Sequence, residues 1–182
     1  KTWTKITDGI DAGHFARVVR ADLKRQGLLY AGTEYGMYIS FDDGASWKPF
    51  QLNLPIVPIT DLTIKNDNLI AATQGRSFWL IDDITPLHQL NDNIAKSTIH
   101  LYKPMPSYRM NGGDFSFRDG ASKTEGKNHP GGVIFHFFVK DTTGAKASLE
   151  IMELNGSLIK KYATTPDKKV KEEQLKIKPG MN

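Results

Sequence analysis

The sequence predicts an all-β chain, and two observations support this class. Its nine Phe, six Tyr and three Trp lie mostly in short runs rich in β-branched residues, which favours strands over helices. The first 84 residues also repeat: Trp3-Thr4-Lys5-Ile6 recurs as Trp47-Lys48-Pro49-Phe50, and Asp42-Asp43 recurs as Asp82-Asp83. Short strands repeating every 40–45 residues or so are typical of β-propeller blades. We therefore expect a partial β-propeller of about two blades at residues 1–84, followed by a different domain.

Turn signals between the apolar runs place the strands. The first repeat predicts strands at 15–21, 28–33, 37–40 and 47–51, and the second predicts strands at 59–64, 69–73 and 77–81. The pattern then stops at Thr85-Pro86, where Thr is a good N-cap and Pro suits the first helical position. We expect a short helix and linker at 85–98.

The turn after the third strand carries the pattern Ser-x-Asp-x-Gly-x-Ser-Trp, filled by Ser40, Asp42, Gly44, Ser46 and Trp47. Each fixed residue has a structural task. The aspartate accepts hydrogen bonds from main-chain N–H groups of the turn, the glycine adopts a conformation that a side chain would forbid, and the tryptophan packs into the sheet. This pattern is the Asp-box, and we interpret it as architectural.

The last 84 residues predict a different β-domain. A strand at 133–139 and two strands at 147–154 and 157–162, which flank the hairpin signal Asn155-Gly156, indicate the first half of an antiparallel β-sandwich of immunoglobulin-like size. We place this accessory domain at 99–182 and expect it to be incomplete, since residues 179–182 read as a turn. A Gly- and Lys-rich stretch at 111–132 predicts a long loop.

Together with the Asp-box, Ala31-Gly32-Thr33-Glu34-Tyr35-Gly36 and 72–79 make the chain resemble sortilin-type bacterial propellers with BNR repeats, which are often labelled glycosyl hydrolases. The resemblance covers most of the chain and implies a secreted or periplasmic propeller with an accessory sandwich. It also implies that the Asp-box lies away from the ligand-binding side. The chain would then be the closing part of a longer propeller, with about five blades upstream. Those blades, from a longer chain or another chain, would cover the exposed blade faces and edge.

The candidate ligand-binding residues lie in loops on the side opposite the Asp-box. In a four-stranded blade, the turn after the second strand shares its side with the approach to the first strand. This selects His14, Glu34, Tyr35, Gln74 and Arg76. The guanidinium of Arg76 suits a carboxylate, which it can bind through two hydrogen bonds. The alternative is that these residues only satisfy hydrogen bonds within turns and between blades.

Catalytic residues are not evident. A sialidase needs three Arg and a Tyr–Glu pair, and an ordinary glycosidase needs two opposed carboxylates roughly 5–10 Å apart. The pairs Asp42-Asp43 and Asp82-Asp83 lie on the opposite side, where we expect them to cap turns. Phe78, Trp79, Phe135 and Phe137 are expected in the core, although one or two of them at a rim could stack against sugars. We predict no cofactor, and the spacing of the five His predicts no metal site.

Composition excludes several other classes. Without cysteine there is no disulfide framework, thiol nucleophile or thiolate metal site. No apolar run approaches the roughly 18 residues of a membrane span. The net charge of +4 comes largely from a Lys/Glu run at 168–178, which lacks the clustered Arg and stacking aromatics of nucleic-acid binding.

Two functions therefore stay open, and an intracellular scaffold is a third, because the compartment is given by the resemblance alone. The first is a non-catalytic module that binds a protein, peptide or glycan outside the cytoplasm. The second is a glycoside hydrolase, sialidase- or xyloglucanase-like, whose catalytic residues lie mainly in upstream blades.

Overall fold

A computed structural model describes residues 2–108, 132–144, 146–167 and 172–182, and these residues form mostly antiparallel β-sheet. The predicted all-β class is confirmed. The chain divides into two compact units. The first contains the described residues 2–89, and the second contains the described residues from 90 onward. The division falls inside the segment 85–98. The long loop predicted at 111–132 lies outside the described residues, apart from Gly132.

The first sheet is a four-stranded antiparallel meander. Its strands follow chain order: β1 (Ala16–Ala21), β2 (Leu29–Thr33), β3 (Gly36–Ser40) and β4 (Lys48–Pro49). The last strand is shorter than predicted, although the main-chain N–H of Phe50, just beyond it, still donates to the Met37 carbonyl at 2.8 Å.

The second sheet repeats the meander with three strands, β5 (Ile59–Lys65), β6 (Asn68–Thr73) and β7 (Phe78–Ile81). The chain then enters helix α1 (Thr85–Gln89) where a helix was predicted. The predicted cap was wrong, because Thr85 is itself the first helical residue. Its main-chain N–H donates to Asp83 Oδ1 at 2.8 Å, so the aspartate two residues earlier satisfies the first N–H of the helix.

The two sheets share one hydrophobic core. Tyr30, Ile39 and Met37 of the first sheet pack with Leu62 and Leu69 of the second, and all five are at most 4% exposed. The expectation that Phe78 is a core residue was wrong. Its side chain is 78% exposed, because it lies on the face of the second sheet that points away from this core.

Helix α1 is fastened to the β1–β2 turn. Asp22 Oδ2 lies 2.9 Å from His88 Nε2, and an Arg25 guanidinium N–H donates to the Leu87 carbonyl. Burial raises the pKa of the Asp22 carboxyl, but hydrogen bonds from the main-chain N–H groups of Lys24 and Arg25 and from His88 outweigh burial and leave that pKa below its usual value. The carboxylate is therefore charged and fully engaged at neutral pH.

The second unit contains helix α2 (Asp92–Lys96), which was not predicted, and two three-stranded sheets. The strands of the first of these sheets are β8 (Ile99–Leu101), β9 (Phe137–Val139) and β13 (Gly180–Met181), and those of the other are β10 (Ser148–Met152), β11 (Leu158–Ala163) and β12 (Glu173–Gln174).

Two predictions for this unit need correction. The strand expected at 133–139 is confined to β9, which pairs with β8 through Leu101 and Phe137. The predicted turn at 179–182 contains β13, since Gly180 and Met181 pair antiparallel with β9. The Lys/Glu run at 168–178 lies partly outside the described residues, and its described part includes β12.

Candidate binding surface at one end of the first unit

The two sheets of the first unit have corresponding ends. Gly32 lies against Ile59, the first residue of β5, and Ile59 pairs with Thr73, the last residue of β6. At the other end, Lys24 Nζ and Asp67 Oδ2 form a 2.6 Å ion pair between the β1–β2 and β5–β6 turns. The turns at 34–35 and 74–77 therefore lie at one end, called here the upper end. The Asp-box turn and α1 lie at the other, the lower end.

An aromatic cluster occupies the upper end of the first sheet. The His14 and Tyr35 rings stack with centroids 4.7 Å apart and planes 25° apart. His14 Nδ1 lies 2.8 Å from the hydroxyl oxygen of Tyr38, which also accepts the main-chain N–H of Asp11 at 3.4 Å. Burial raises the pKa of the Tyr38 hydroxyl, so this group stays protonated at neutral pH. His14 is thus held in place from below, while Tyr35 remains 51% exposed above it.

A charged pair borders this cluster. Arg17 Nε donates to Glu34 Oε2, and the guanidinium lies 5.7 Å from the centroid of the Phe15 ring. Arg17 falls at a register shift in β1, where Ala16 pairs with Thr33 and Val18 already pairs with Gly32. Such a bulge redirects a side chain, and here Arg17 meets the turn residue Glu34. The pair supplies both donors and acceptors next to an exposed ring.

The corresponding turn of the second sheet is more open. Gln74, whose main-chain N–H donates to the Pro58 carbonyl at 3.0 Å, and Arg76 are both exposed. The Arg76 carbonyl accepts the indole N–H of Trp79 at 2.9 Å, and its guanidinium has no ion-pair partner among the residues that the structure describes. The structure thus brings His14, Tyr35 and Glu34 together, while Gln74 and Arg76 share their end of the unit without a contact to them.

The Asp-box residues lie at the lower end and serve the turn. Asp42 Oδ1 accepts the main-chain N–H of Ser46 at 2.9 Å and the hydroxyl of Ser40 at 2.7 Å, and Asp42 Oδ2 accepts the Ser46 hydroxyl. These hydrogen bonds, chiefly those from Ser46, lower the pKa of Asp42 to about 2. Gly44 has φ +86°, and Trp47 is 5% exposed. All donors to Asp42 are internal, so its carboxylate stabilises the turn.

Arg17, Tyr38 and Asp11 were missed from the sequence. Arg17 and Tyr38 lie within predicted strands, where nothing local shows that they reach the upper end. The spacing of Arg17, 17 residues before Glu34, is the only available signal, and it requires the β1–β2 register to be known first.

No protein-family model, curated protein or solved structure matches the chain. Within the described ranges, no set of three His, Asp or Glu side chains is arranged to hold a metal ion. In the same ranges, no helix is long and apolar enough to cross a membrane.

Proposed function

We propose that the first unit is two successive blades of an Asp-box β-propeller and that the second is an accessory β-sandwich. The support is the repeated meander. Both sheets run outward in chain order, the first strand of the second sheet packs on the inner strands β1 and β2, and both sheets share one core. The Asp-box turn lies at the end opposite the candidate residues, as such blades require.

We further propose that the chain is a non-catalytic binding module acting outside the cytoplasm, with its ligand at the upper end. The observation that carries this proposal is the exposed Tyr35 ring stacked on an immobilised His14. A ring fixed by its neighbours loses little conformational entropy when a ligand covers it, and exposed Tyr and Arg dominate the energetics of many binding surfaces.

The ligand class that fits this surface best is a glycan carrying a carboxylate. The apolar face of a sugar would lie on Tyr35, and its hydroxyl groups would bond the Arg17–Glu34 pair. Arg76, whose guanidinium has no ion-pair partner among the described residues, would bind the carboxylate. Arg17 is less suited to this role, because Glu34 already neutralises its charge.

A glycan array with neutral and acidic members tests the proposal, and a peptide array runs alongside it. The wild-type chain should retain acidic glycans. Tyr35→Ala should weaken retention by about 30-fold, the equivalent of about 2 kcal/mol for an aromatic side chain at the centre of a binding surface. Arg76→Ala should selectively weaken binding of the acidic members.

The matched control is Tyr108→Ala, because Tyr108 is also exposed but lies in the second unit. Retention equal to wild type in both Tyr35→Ala and Arg76→Ala would refute this site. Retention of peptides alone would refute the glycan assignment. Hydrolysis of any retained glycan, measured by the appearance of new reducing ends, would refute a non-catalytic role.

A further inference from the structure

The two sheets of the first unit correspond residue by residue. The cross-strand pair Ala31–Tyr38 of the first sheet matches Ala71–Trp79 of the second. In each sheet the pair joins the second strand to the third. The segments before the sheets correspond too, with Ile6 and Ile10 lying 44 positions before Phe50 and Leu54.

In the first sheet this face holds an indole. Trp47 packs on Ala31 and Tyr38 beneath Ile10, and it is 5% exposed. Its ring N–H donates to the carbonyl of Ile6 at 3.0 Å. The preceding segment and the sheet thus form the two walls of a tryptophan-binding pocket, which the chain fills with the residue that begins its own fourth strand.

In the second sheet the equivalent position is a cavity. It is open to solvent, and its walls include the counterparts of the residues around Trp47: Leu69, Ala71 and Trp79 from the sheet, and Phe50 and Leu54 from the preceding segment. The cavity is present because the chain enters α1 after Asp83 instead of returning as a fourth strand. Among the described residues, no tryptophan takes the place that Trp47 has in the first sheet.

The opposite face of the second sheet also lacks its neighbour. Met37 and Ile39, which pack between the sheets, are each 4% exposed. Their counterparts Phe78 and Leu80 are 78% and 52% exposed. Strand β7 also pairs only with β6 among the described strands, so its outer edge carries main-chain groups able to accept another strand.

The chain contains a segment with the right chemistry to fill this place. Trp3-Thr4-Lys5-Ile6 has the Trp-x-x-apolar pattern of Trp47-Lys48-Pro49-Phe50, the segment that fills the equivalent place in the first sheet. Trp3 is 97% exposed and Ile6 is 50% exposed, and residues 2–7 belong to no strand.

We propose that the chain associates head to tail, with residues 3–6 of a second copy adding to the edge of β7 and the Trp3 indole entering the cavity at Ala71 and Trp79. The first sheet of the second copy then covers Phe78 and Leu80, as the second sheet covers Met37 and Ile39 within one chain. The proposed contact does not depend on the ligand at the upper end. The contact joins two different surfaces, so an open assembly leaves one surface of each kind unused, one at each of its two ends.

Sedimentation velocity over a concentration series tests the association. The wild-type chain should assemble progressively with concentration, and Trp3→Lys should weaken association by at least about tenfold, since a buried tryptophan anchor is replaced by a charge. Trp3 is almost fully exposed, so this variant should fold as wild type does. Tyr108→Lys, a control at another exposed aromatic residue, should assemble like wild type. A wild-type chain that is monomeric at every concentration tested would overturn the proposal, as would undiminished assembly of Trp3→Lys.

Mixing two variants tests the head-to-tail geometry. Leu80→Arg damages the receiving surface and keeps Trp3, while Trp3→Lys keeps the receiving surface. At a concentration where each variant alone is monomeric and the wild-type chain assembles, an equimolar mixture should form a 1:1 heterodimer, because one intact surface of each kind remains. Failure of the mixture to associate would overturn the head-to-tail contact, and circular dichroism of each variant establishes that it is folded.

Discussion

Trp47 should be a principal stabilising residue of the first unit. Trp47→Ala removes an indole that is 5% exposed and packed on Ala31 and Tyr38, together with its 3.0 Å hydrogen bond to the Ile6 carbonyl. Replacing a core tryptophan by alanine costs about 3–5 kcal/mol. Against the roughly 5–15 kcal/mol that holds a typical domain, this is a large share of the free energy of unfolding. Trp47→Phe should cost clearly less, because it keeps most of the packing and loses mainly the hydrogen bond, worth about 0.5–1.5 kcal/mol.

Urea unfolding followed by tryptophan fluorescence measures this cost for the first unit alone, since Trp3, Trp47 and Trp79 all belong to it. Trp79 remains as the reporter in the variant. Trp3→Ala is the matched control: at concentrations where the chain is monomeric, it should change the free energy of unfolding by no more than about 0.5 kcal/mol. A cost for Trp47→Ala below about 1 kcal/mol would refute the pocket described here, and with it the basis for a vacant counterpart in the second sheet.

Three further substitutions probe the two ends of the first unit. Tyr38→Phe removes the hydroxyl bonded to His14, so unfolding in urea should become easier by about 0.5–1.5 kcal/mol, and unchanged stability would contradict that bond. Asp42→Asn should lower Tm at pH 7. Because the pKa of Asp42 is depressed to about 2, its contribution is present at neutral pH and disappears as the pH falls toward 2. The Tm difference from wild type should therefore shrink on acidification, and a pH-independent difference would contradict this role. Asp22→Asn should weaken the contact to His88 and speed hydrogen exchange of the α1 amides, while exchange rates equal to wild type would show that another contact holds the helix. The pKa of Asp22 is also lowered, so the wild-type rates should approach those of the variant at low pH.

The strands of the first unit were predictable because their signals are local. The period of the repeat, the turn residues and the Asp-box each depend on a few neighbouring residues, and the observed strands β1 to β7 lie within about a residue or two of the predicted ranges, apart from the shortened β4. The hairpin between β10 and β11 was predictable for the same reason, because Asn155-Gly156 is a local turn signal.

The features that were missed depend on long-range pairing. The strand β13 forms because Gly180 pairs with Val139, some 40 residues away, and no local sequence pattern indicates that partner. Arg17 reaches Glu34 only because a register shift in β1 redirects it, and register is not encoded by composition. Phe78 was expected in the core from its residue type, but burial depends on whether a neighbouring sheet covers that face.

The most direct test of the proposed binding role is a titration of the ¹⁵N-labelled chain with an acidic glycan retained on the array, followed by ¹H–¹⁵N correlation spectra. The largest amide shifts should fall on the upper end, at residues 14–17, 34–38 and 74–77, and Tyr35→Ala should abolish them at the same glycan concentration. Shifts concentrated on the Asp-box turn or the second unit, or an array that retains no glycan, would contradict the proposed binding role.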